Sequence, residues 1–378
     1  MRILLVNWQD PSNLDAGGAE IHLLEVFSRL RAMGHSVTWV ASGWSGCDPT
    51  DEIEGIAIRR IASRYTFGVA AAPFLRRHAL PTDFDITVEA LNKVPVYAPL
   101  WVRTPTALIV HHLFGTTAFQ QASAPLAAAT WLQERPIPSV YKRTAIQTIS
   151  ESTADDLASR GIPRRNMRVI YPGVDTDFFR PAPDIDRAST PTFLYIGRLQ
   201  KYKRIDLIVE AFSSVLATVP SARLVIAGRG EQRMELEKRV EELGIAGSVR
   251  FAGFVSEEEK RALFQGASAN IFVSPKEGWG ITNLEAAACG TPTIASDAPG
   301  LRESVRHGET GFLVPHGDLE ALCAAMLRLS QAPGVLEALG RAALGFARSF
   351  TWERTAGETL RHLEGVLAGP SRDPTRWS

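Results

Sequence analysis

Short apolar runs alternate with longer amphipathic segments along the chain, a pattern typical of an α/β fold. In the first half, runs short enough for buried parallel strands occupy 2–7, 36–41, 56–61, 85–91, 106–110, 145–150 and 167–171. The pattern restarts with runs at 193–196, 222–227, 249–255, 269–273, 293–295 and 311–314. Two successive strand–helix repeats of comparable size predict two doubly wound, Rossmann-like domains that face a cleft.

The break between the two repeats predicts the domain boundaries. Residues 181–191 contain Pro181, Pro183 and Pro191 with few apolar side chains, as expected of a linker. We therefore predict an N-terminal domain at 1–172, a linker at 173–191 and a C-terminal domain at 192–350. Residues 372–378 are expected to form a frayed tail.

The composition is that of an ordinary globular protein, and it argues against several classes of function. Lys plus Arg and Asp plus Glu both number 41 in 378 residues, so no net charge favours nucleic acid as a partner. Three scattered cysteines favour neither a disulfide framework nor a zinc site. No apolar run reaches membrane-spanning length, and we expect residues 1–6 to open a strand rather than a signal peptide. We expect a cytoplasmic protein, with peripheral attachment to the inner face of the membrane as an open alternative.

One basic and aromatic segment bears on that alternative. Between 59 and 77 stand Arg59, Arg60, Arg64, Arg76 and Arg77, interleaved with Tyr65, Phe67 and Phe74. Such a mixture suits an anionic membrane surface. The interpretation we favour is a solvated helix face beside core aromatics, since most such mixtures are of that kind.

The stretch 276–292 concentrates the residues most suggestive of a ligand site. Gly278 and Gly280 follow an apolar strand and allow a tight turn in which backbone can approach a ligand. A short Ala-rich helix is predicted next, with Thr282 or Asn283 near its start and Gly290 at its end. The N-terminus of a helix behind a Gly-rich turn offers N–H groups and a positive dipole end to a phosphate.

Two carboxylates flank that predicted helix start. Glu277 precedes the helix and Glu285 lies about one turn inside it. Carboxylates in these positions are suited to accept hydrogen bonds from sugar hydroxyls. The alternative is a buried helix with two surface glutamates, and we prefer the ligand site because so many suitable groups converge.

Cations stand at an equivalent strand end earlier in the second repeat. Arg198 and Lys203 follow the strand at 193–196, where two cations suit a diphosphate. We expect both side chains at the surface of the cleft. The alternative is a pair of surface cations without a ligand, since most Arg and Lys side chains are of that kind. Phe254 and Val255 lie in the turn that ends the run at 249–255, and a lone Phe in such a place is more often a core residue.

The first repeat contributes a glycine loop and a histidine pair. Gly17 and Gly18 separate a strand from a helix, an arrangement that brings backbone N–H groups to an anion but is also common for steric reasons. His111 and His112 follow the strand at 106–110, where open α/β sheets bind ligands. No third ligand stands nearby, so we predict no metal site there.

The stretch 276–292 resembles the donor site of retaining glycosyltransferases of the GT-B fold, in the large family 4 (glycosyl transferases group 1). The shared features are a Glu, a Gly-aromatic-Gly turn, a second Glu and a helix ending in Cys-Gly-x-Pro. The Gly-Gly-x-Glu loop, a His at the strand end and a Gly-Arg-Leu…Lys segment also match. Arg204 departs from the family, which often has Gly after that Lys. The resemblance also suggests that the helix at 351–368 packs back onto the N-terminal domain.

The resemblance implies a role for each matching residue. The first Glu would contact the donor sugar and the second the ribose, with the cations on the diphosphate and the base near Phe254 and Val255. The residues implied in catalysis are His111, Arg198, Lys203 and Glu277. Those implied in donor binding are Gly17, Gly18, Arg198, Lys203, Phe254, Val255, Glu277, Gly278, Trp279, Gly280, Ile281, Thr282 and Glu285.

The expected reaction is transfer of a sugar from a UDP-, GDP- or ADP-sugar to a sugar, lipid-linked or small-molecule acceptor, with retention of configuration. Cations and a helix dipole would stabilise the leaving diphosphate, so no metal cofactor is expected. A nucleotide-sugar epimerase of the same fold and a non-catalytic nucleotide-sugar-binding protein are the alternatives. An epimerase would change the donor without an acceptor, and a binding protein would not change it at all.

Overall fold

The computed structural model describes residues 1–93, 95–113, 124–182, 187 and 190–369. The chain divides into two compact units, one formed by Met1–Gly173 with the segment that begins at Trp352, and the other by Val174–Thr351. Each unit contains one largely parallel sheet with helices, which confirms the predicted fold class of two Rossmann-like α/β domains. The predicted tail at 372–378 lies outside the described residues.

The sheet of the first unit has the strand order β3-β4-β2-β1-β5-β6-β7-β8. Its strands are β1 (Arg2–Val6), β2 (Ser36–Gly43), β3 (Thr50–Ile53), β4 (Ile56–Ser63), β5 (Ile86–Leu91), β6 (Thr106–Val110), β7 (Ala145–Thr148) and β8 (Met167–Val169). The central strand β1 has apolar side chains on both faces, because Ile3 and Leu5 join one buried cluster and Leu4 and Val6 another. Burial on both faces is the reason why these strands are continuous apolar runs in the sequence.

Strand β3 was missed by the sequence analysis. It is a polar edge strand that pairs antiparallel with β4 through a turn at Glu54 and Gly55, both of which have positive φ. A short segment with exposed charged side chains has no apolar period, so its strand conformation depends on pairing with β4.

The described helices of the first unit are α1 (Gly18–Ala32), α2 (Phe67–His78), α3 (Ala124–Glu134), α4 (Ile137–Tyr141), α5 (Glu151–Ser159) and, from the end of the chain, α13 (Trp352–Leu367). Helix α13 packs against α1, and its residues Ala356 and Leu363 are part of the same core as Phe27. Arg29 of α1 also pairs with Glu353 of α13 at 2.9 Å. The C-terminal helix therefore completes the core of the first unit.

The sheet of the second unit is fully parallel, with the order β11-β10-β9-β12-β13-β14. Its strands are β9 (Thr192–Ile196), β10 (Arg223–Ala227), β11 (Val249–Gly253), β12 (Ala269–Phe272), β13 (Thr293–Ser296) and β14 (Gly311–Val314). Its described helices are α6 (Ile205–Thr218), α7 (Arg233–Glu242), α8 (Glu257–Gly266), α9 (Ile281–Ala288), α10 (Leu301–Ser304), α11 (Leu319–Gln331) and α12 (Pro333–Ala347). Residues of β9, α6, β12 and α11 share one core.

The start of the predicted linker packs against the second unit. The N–H of Val174 donates to the carbonyl of Phe350 at 3.0 Å, and Phe179 is buried against Phe264 of α8. Arg187, farther along, donates to the carbonyls of Gln265, Cys289 and Gly290. Residues 183–186 and 188–189 of the predicted linker lie outside the described residues.

Each sheet has one point at which the direction of strand order reverses. In the first unit that point lies between β1 and β5, and in the second between β9 and β12. At such a point the two loops that follow the adjacent strands diverge and leave room for a ligand at the carboxyl edge. The loops that begin at Gly197 and Val273 occupy this position in the second unit.

Candidate functional site

Lys203 lies in the loop that follows β9, at the end of a single turn of 3₁₀ helix (Lys201–Lys203). Arg204 follows in the left-handed region, with φ of 54°, and α6 then begins at Ile205. Glycine reaches that conformation at little cost, so an Arg there is strained relative to the Gly often found in the resembled family. The strained residue sets the direction in which the chain leaves Lys203.

Lys203 forms an ion pair with Glu277. Its Nζ lies 2.5 Å from Glu277 Oε1 and 4.7 Å from the centroid of the Phe272 ring. The side chain of Lys203 is only 8% exposed and that of Glu277 17%. We expected Lys203 at the surface of the cleft, but its side chain is largely buried and lies over the Phe272 ring of β12.

The loop that contains Glu277 packs against the segment around Gly300. The N–H of Glu277 donates to the carbonyl of Pro299 at 3.2 Å. A Cβ at Gly300 would lie 2.3 Å from the carbonyl oxygen of Glu277, so only glycine allows the two backbones to pass this closely. The position of the Glu277 carboxylate is thus fixed by backbone packing as well as by Lys203.

Helix α9 begins after Gly280, which has φ of 98° and serves as its N-cap. Gly278, Gly280, Ile281 and Thr282 are half-buried at this helix start. The first N–H groups of a helix have no partner within the helix and carry its positive dipole end. This end of α9 therefore has the electrostatics predicted for a phosphate site.

The ring of Trp279 is not available to a ligand. It is 1% exposed, and its centroid lies 5.0 Å from that of Phe350. The prediction that Trp279 takes part in donor binding therefore concerns its backbone, since its ring is buried. The Gly-Trp-Gly turn uses the ring as an anchor in the core and leaves only backbone at the surface.

Glu285 is buried on α9 and is held by a lysine that the sequence analysis did not identify. Lys260 of α8 places its Nζ 2.7 Å from both carboxylate oxygens of Glu285. Burial raises the pKa of Glu285, and Lys260 opposes that shift. The apolar and acidic pattern around Lys260 gave no signal of this contact, which joins residues of two different helices.

Arg198 and Phe254 are both exposed at the carboxyl edge of the second sheet. Arg198 donates to the hydroxyl of Tyr202 at 3.3 Å, and its carbonyl accepts from Tyr195 at 2.9 Å. Phe254, next to Val255 after β11, is 69% exposed, and the guanidinium of Arg229 lies 5.1 Å from its ring centroid. The interpretation of Phe254 as a core residue is therefore wrong.

In the first unit, Gly17 caps α1 and its N–H is already occupied. It donates at 2.8 Å to Oε2 of Glu20, a buried side chain whose Oε1 also accepts from Asn7 and Asn92. Gly18 is the first residue of the helix. We predicted that the Gly17 N–H could bind an external anion. In the structure the carboxylate of Glu20 already accepts from this N–H.

His111 is buried at the end of β6 and contacts a second buried histidine. Its Nε2 lies 3.0 Å from Nδ1 of His22 on α1. Burial lowers the pKa of His111 well below its usual value and that of His22 to about 4, so both rings are neutral at pH 7. The sequence analysis missed His22, although it stands four residues after Gly18 and hence on the same helix face.

The basic and aromatic segment at 59–77 is only partly exposed. Arg60 is buried and pairs with Asp10 at 2.8 Å, and Phe67 lies in the core. These two residues therefore cannot contact a membrane surface. The alternative of membrane attachment through this segment was wrong for Arg60 and Phe67. Tyr65 is 85% exposed. Within the described part of the chain, no helix is both long enough and apolar enough to cross a membrane.

The described ranges of the chain contain no group of three His, Cys, Asp or Glu residues arranged to hold a metal ion. Asp85, part of an Asp-x-Asp sequence, is paired with Arg2 at 2.7 Å.

Comparison with known proteins gives matches over nearly the whole chain. A model described as Glycosyltransferase Family 4 matches residues 16–178, and one described as Glycosyl transferases group 1 matches residues 181–345. The D-inositol 3-phosphate glycosyltransferase of Frankia alni is 29% identical, over 95% of this chain and 97% of that protein. A glycogen synthase of Mycobacterium tuberculosis is 28% identical, over 96% of this chain and 94% of that protein.

Among solved structures, Anabaena HepE in complex with UDP and glucose superimposes with a TM-score of 0.79. The alignment covers 96% of this chain and 99% of HepE at 18% sequence identity. At that identity the likeness shows a shared fold.

Proposed function

Because this chain belongs to the family 4 glycosyltransferases (glycosyl transferases group 1) of the GT-B fold, we propose that it transfers a sugar from a nucleotide-diphosphate sugar to an acceptor hydroxyl. The second unit binds the donor in this proposal, and the first unit binds the acceptor. The donor is a UDP-, GDP- or ADP-sugar. The reaction proceeds with retention of configuration and without a metal ion.

The observation that carries the proposal is the ion pair between Lys203 and Glu277. The two residues are distant in sequence, but they meet at the point where the strand order of the second sheet reverses. A cation and a carboxylate side by side suit a ligand that has a phosphate next to a polyhydroxylated ring. A nucleotide-diphosphate sugar has both groups, joined by the bond that must break.

The phosphate side of the site consists of Lys203, Arg198 and the start of α9 near Thr282. As the glycosidic bond breaks, negative charge grows on the leaving diphosphate. Fixed cations and a helix N-terminus stabilise that charge more in the transition state than in the bound donor. This electrostatic stabilisation is the basis for proposing that no divalent metal takes part.

The remaining assignments follow the family resemblance. Glu277 accepts hydrogen bonds from the donor sugar, and Glu285 from the ribose. Phe254 and the backbone of Val255 receive the base, for which the exposed ring of Phe254 is suited. His111, as a neutral imidazole, serves the transfer step by hydrogen bonding rather than by charge.

Retention follows in this proposal from attack of the acceptor hydroxyl on the same face of the sugar from which the diphosphate departs. No protein nucleophile is assigned. The acceptor is a sugar, a lipid-linked sugar or a small molecule, since the relatives differ in the acceptors that their names imply. We place the protein in the cytoplasm. If the acceptor is lipid-linked, the first unit would also make peripheral contact with the membrane.

A screen of nucleotide sugars tests the proposal. The purified protein is incubated with UDP-, GDP- and ADP-sugars, first in a thermal-shift assay, since binding to the folded state raises apparent stability. Donors that bind are then incubated with candidate acceptors, and glycosylated product and free nucleoside diphosphate are quantified. If the sugar of the donor is epimerised and no nucleotide is released, the protein is an epimerase and not a transferase. Binding without any reaction across the acceptor panel would favour a binding protein.

A further inference from the structure

We infer that Lys260 is a positioning residue for nucleotide binding, which acts by keeping Glu285 ionised and oriented. The inference rests on the proposed function, in which Glu285 receives the ribose. Lys260 lies on α8, at a position for which the family resemblance implies no role. What points to it is the geometry of its contact with Glu285.

The contact is close and nearly symmetrical. Lys260 Nζ lies 2.7 Å from Oε1 and 2.7 Å from Oε2 of Glu285. The side chain of Lys260 is 11% exposed and that of Glu285 8%. Two long side chains from different helices thus meet in a place where little water reaches either charge.

Lys260 is itself held in place by its other neighbours. Its Nζ lies 5.3 Å from the ring centroid of Phe179 and 3.4 Å from Oε2 of Glu257, which is on the same helix. The Glu257 side chain is 58% exposed, so it contributes little compared with Glu285. The ammonium group therefore faces Glu285 with a packed aromatic ring beside it, and its freedom to turn elsewhere is small.

One oxygen of Glu285 has hydrogen-bonding capacity left over. Oε1 accepts a well-formed hydrogen bond from Lys260, whereas Oε2 is buried and has no hydrogen bond of good geometry, although it is close to the same ammonium group. A buried acceptor without a donor costs free energy in the unliganded protein. A hydroxyl group of a ribose would supply such a donor, provided that the carboxyl group is ionised.

Burial alone works against ionisation of Glu285. Burial raises its pKa, and the nearby carboxylate of Glu257 raises it further, whereas Lys260 lowers it. Cys289, at the end of α9, has a pKa raised to about 12 and is neutral at ordinary pH. Among the described residues, Lys260 is thus the group that favours the charged form of the buried carboxylate.

The test measures binding of UDP by calorimetry to the wild-type protein and to Lys260→Met, from pH 7 to pH 9. Met has a similar volume but no charge, so the pKa of Glu285 should rise in the variant. We expect the variant to bind UDP about tenfold more weakly at pH 7, and the ratio of the two dissociation constants to shrink as the pH rises. A purely structural role for Lys260 would give a ratio independent of pH.

Two further variants isolate the route through Glu285. In a Glu285→Gln background, Lys260→Met should weaken UDP binding no further, because the group through which it acts is already neutral. Lys238→Met is the matched control, since Lys238 is an exposed lysine of the same unit that pairs with Glu242 at 3.5 Å. It should leave UDP binding unchanged.

Lys260→Gln is the second variant in case Lys260→Met does not fold. Gln can still donate to Glu285 but carries no charge, so the same pH dependence is expected. Equal UDP affinity of wild type and a folded Lys260 variant from pH 7 to pH 9, or additive losses in the Glu285→Gln background, would overturn this inference alone. If UDP does not bind to the wild type, GDP and ADP replace it in turn. A wild-type protein that binds none of the three overturns the proposed function and this inference with it.

Discussion

Replacement of Lys203 by Ala is the most direct test of the mechanism, because the proposed site depends on this side chain more than on any other. The change removes the ammonium group that lies 2.5 Å from Glu277 and leaves the carboxylate, which is 17% exposed, without this partner. Two separate effects are expected, one on the stability of the second unit and one on turnover.

The effect on stability follows from burial of the pair. Removing one partner of a fully buried ion pair costs roughly 3–5 kcal/mol. Because Glu277 keeps some access to water, we expect a smaller loss of about 2 kcal/mol in the free energy of unfolding. For a unit of this size that corresponds to a decrease in Tm of roughly 4–8 °C. Folded protein should still be obtained at 25 °C.

The effect on turnover follows from the charge on the leaving group. Loss of one fixed electrostatic donor to a developing negative charge typically lowers kcat by about 10²–10³-fold, or roughly 3–4 kcal/mol. We expect kcat to fall far more than the donor KM rises, because the charge on the diphosphate grows in the transition state. Release of nucleoside diphosphate from the donor that the wild type uses is the measured quantity.

Lys201→Ala is the matched control, since Lys201 is an exposed lysine in the same 3₁₀ turn. It should change neither Tm nor kcat appreciably. Arg198→Ala should lower kcat in the same way as Lys203→Ala but with little loss of stability, because Arg198 is exposed. The double variant of Arg198 and Lys203 should lose less than the product of the two single effects, since both act on one diphosphate. A folded Lys203→Ala protein with nearly normal kcat would refute the reasoning.

Three other predictions can be checked with the same protein. Glu285→Gln should weaken binding of free nucleoside diphosphate, whereas Glu277→Gln should spare it and impair use of the intact donor; calorimetry with nucleotide alone decides, and equal losses would contradict the assignment. Activity should survive EDTA, and complete loss restored by Mn²⁺ or Mg²⁺ would show that the phosphate site is misassigned. Burial lowers the pKa of His362 from 6.5 in the unfolded chain to about 4 in the folded protein. Between these two values the imidazole is protonated in the unfolded chain but not in the folded protein, so stability should fall as the pH drops from 6.5 towards 4. Urea unfolding of His362→Leu should therefore show a weaker loss over that range, by up to roughly 3 kcal/mol at pH 4, and an unchanged slope would argue against neutral burial of this ring.

The sequence determined the local elements of this protein and much of the site's chemistry. A strand that is buried on both faces of a sheet is a continuous apolar run and can be recognised from its own sequence. Strands such as β6 were therefore predicted with their correct bounds. The turn from Gly278 to Gly280 and the helix start behind it were likewise predictable, because backbone freedom and helix capping depend on adjacent residues. Strand β3 was not, since its polar segment becomes a strand only by pairing with β4.

The tertiary structure decided which side chains are buried and which charges meet. Lys203 was expected at the surface of the cleft but is buried beside Glu277, and the ring of Trp279, a residue predicted to bind the donor, packs in the core. Lys260 had no sequence signal at all, although it contacts Glu285. These outcomes depend on strand order and on helix packing, which bring together residues far apart in the chain. A local pattern contains the propensity of each segment, whereas the environment of a charge is a property of the assembled unit.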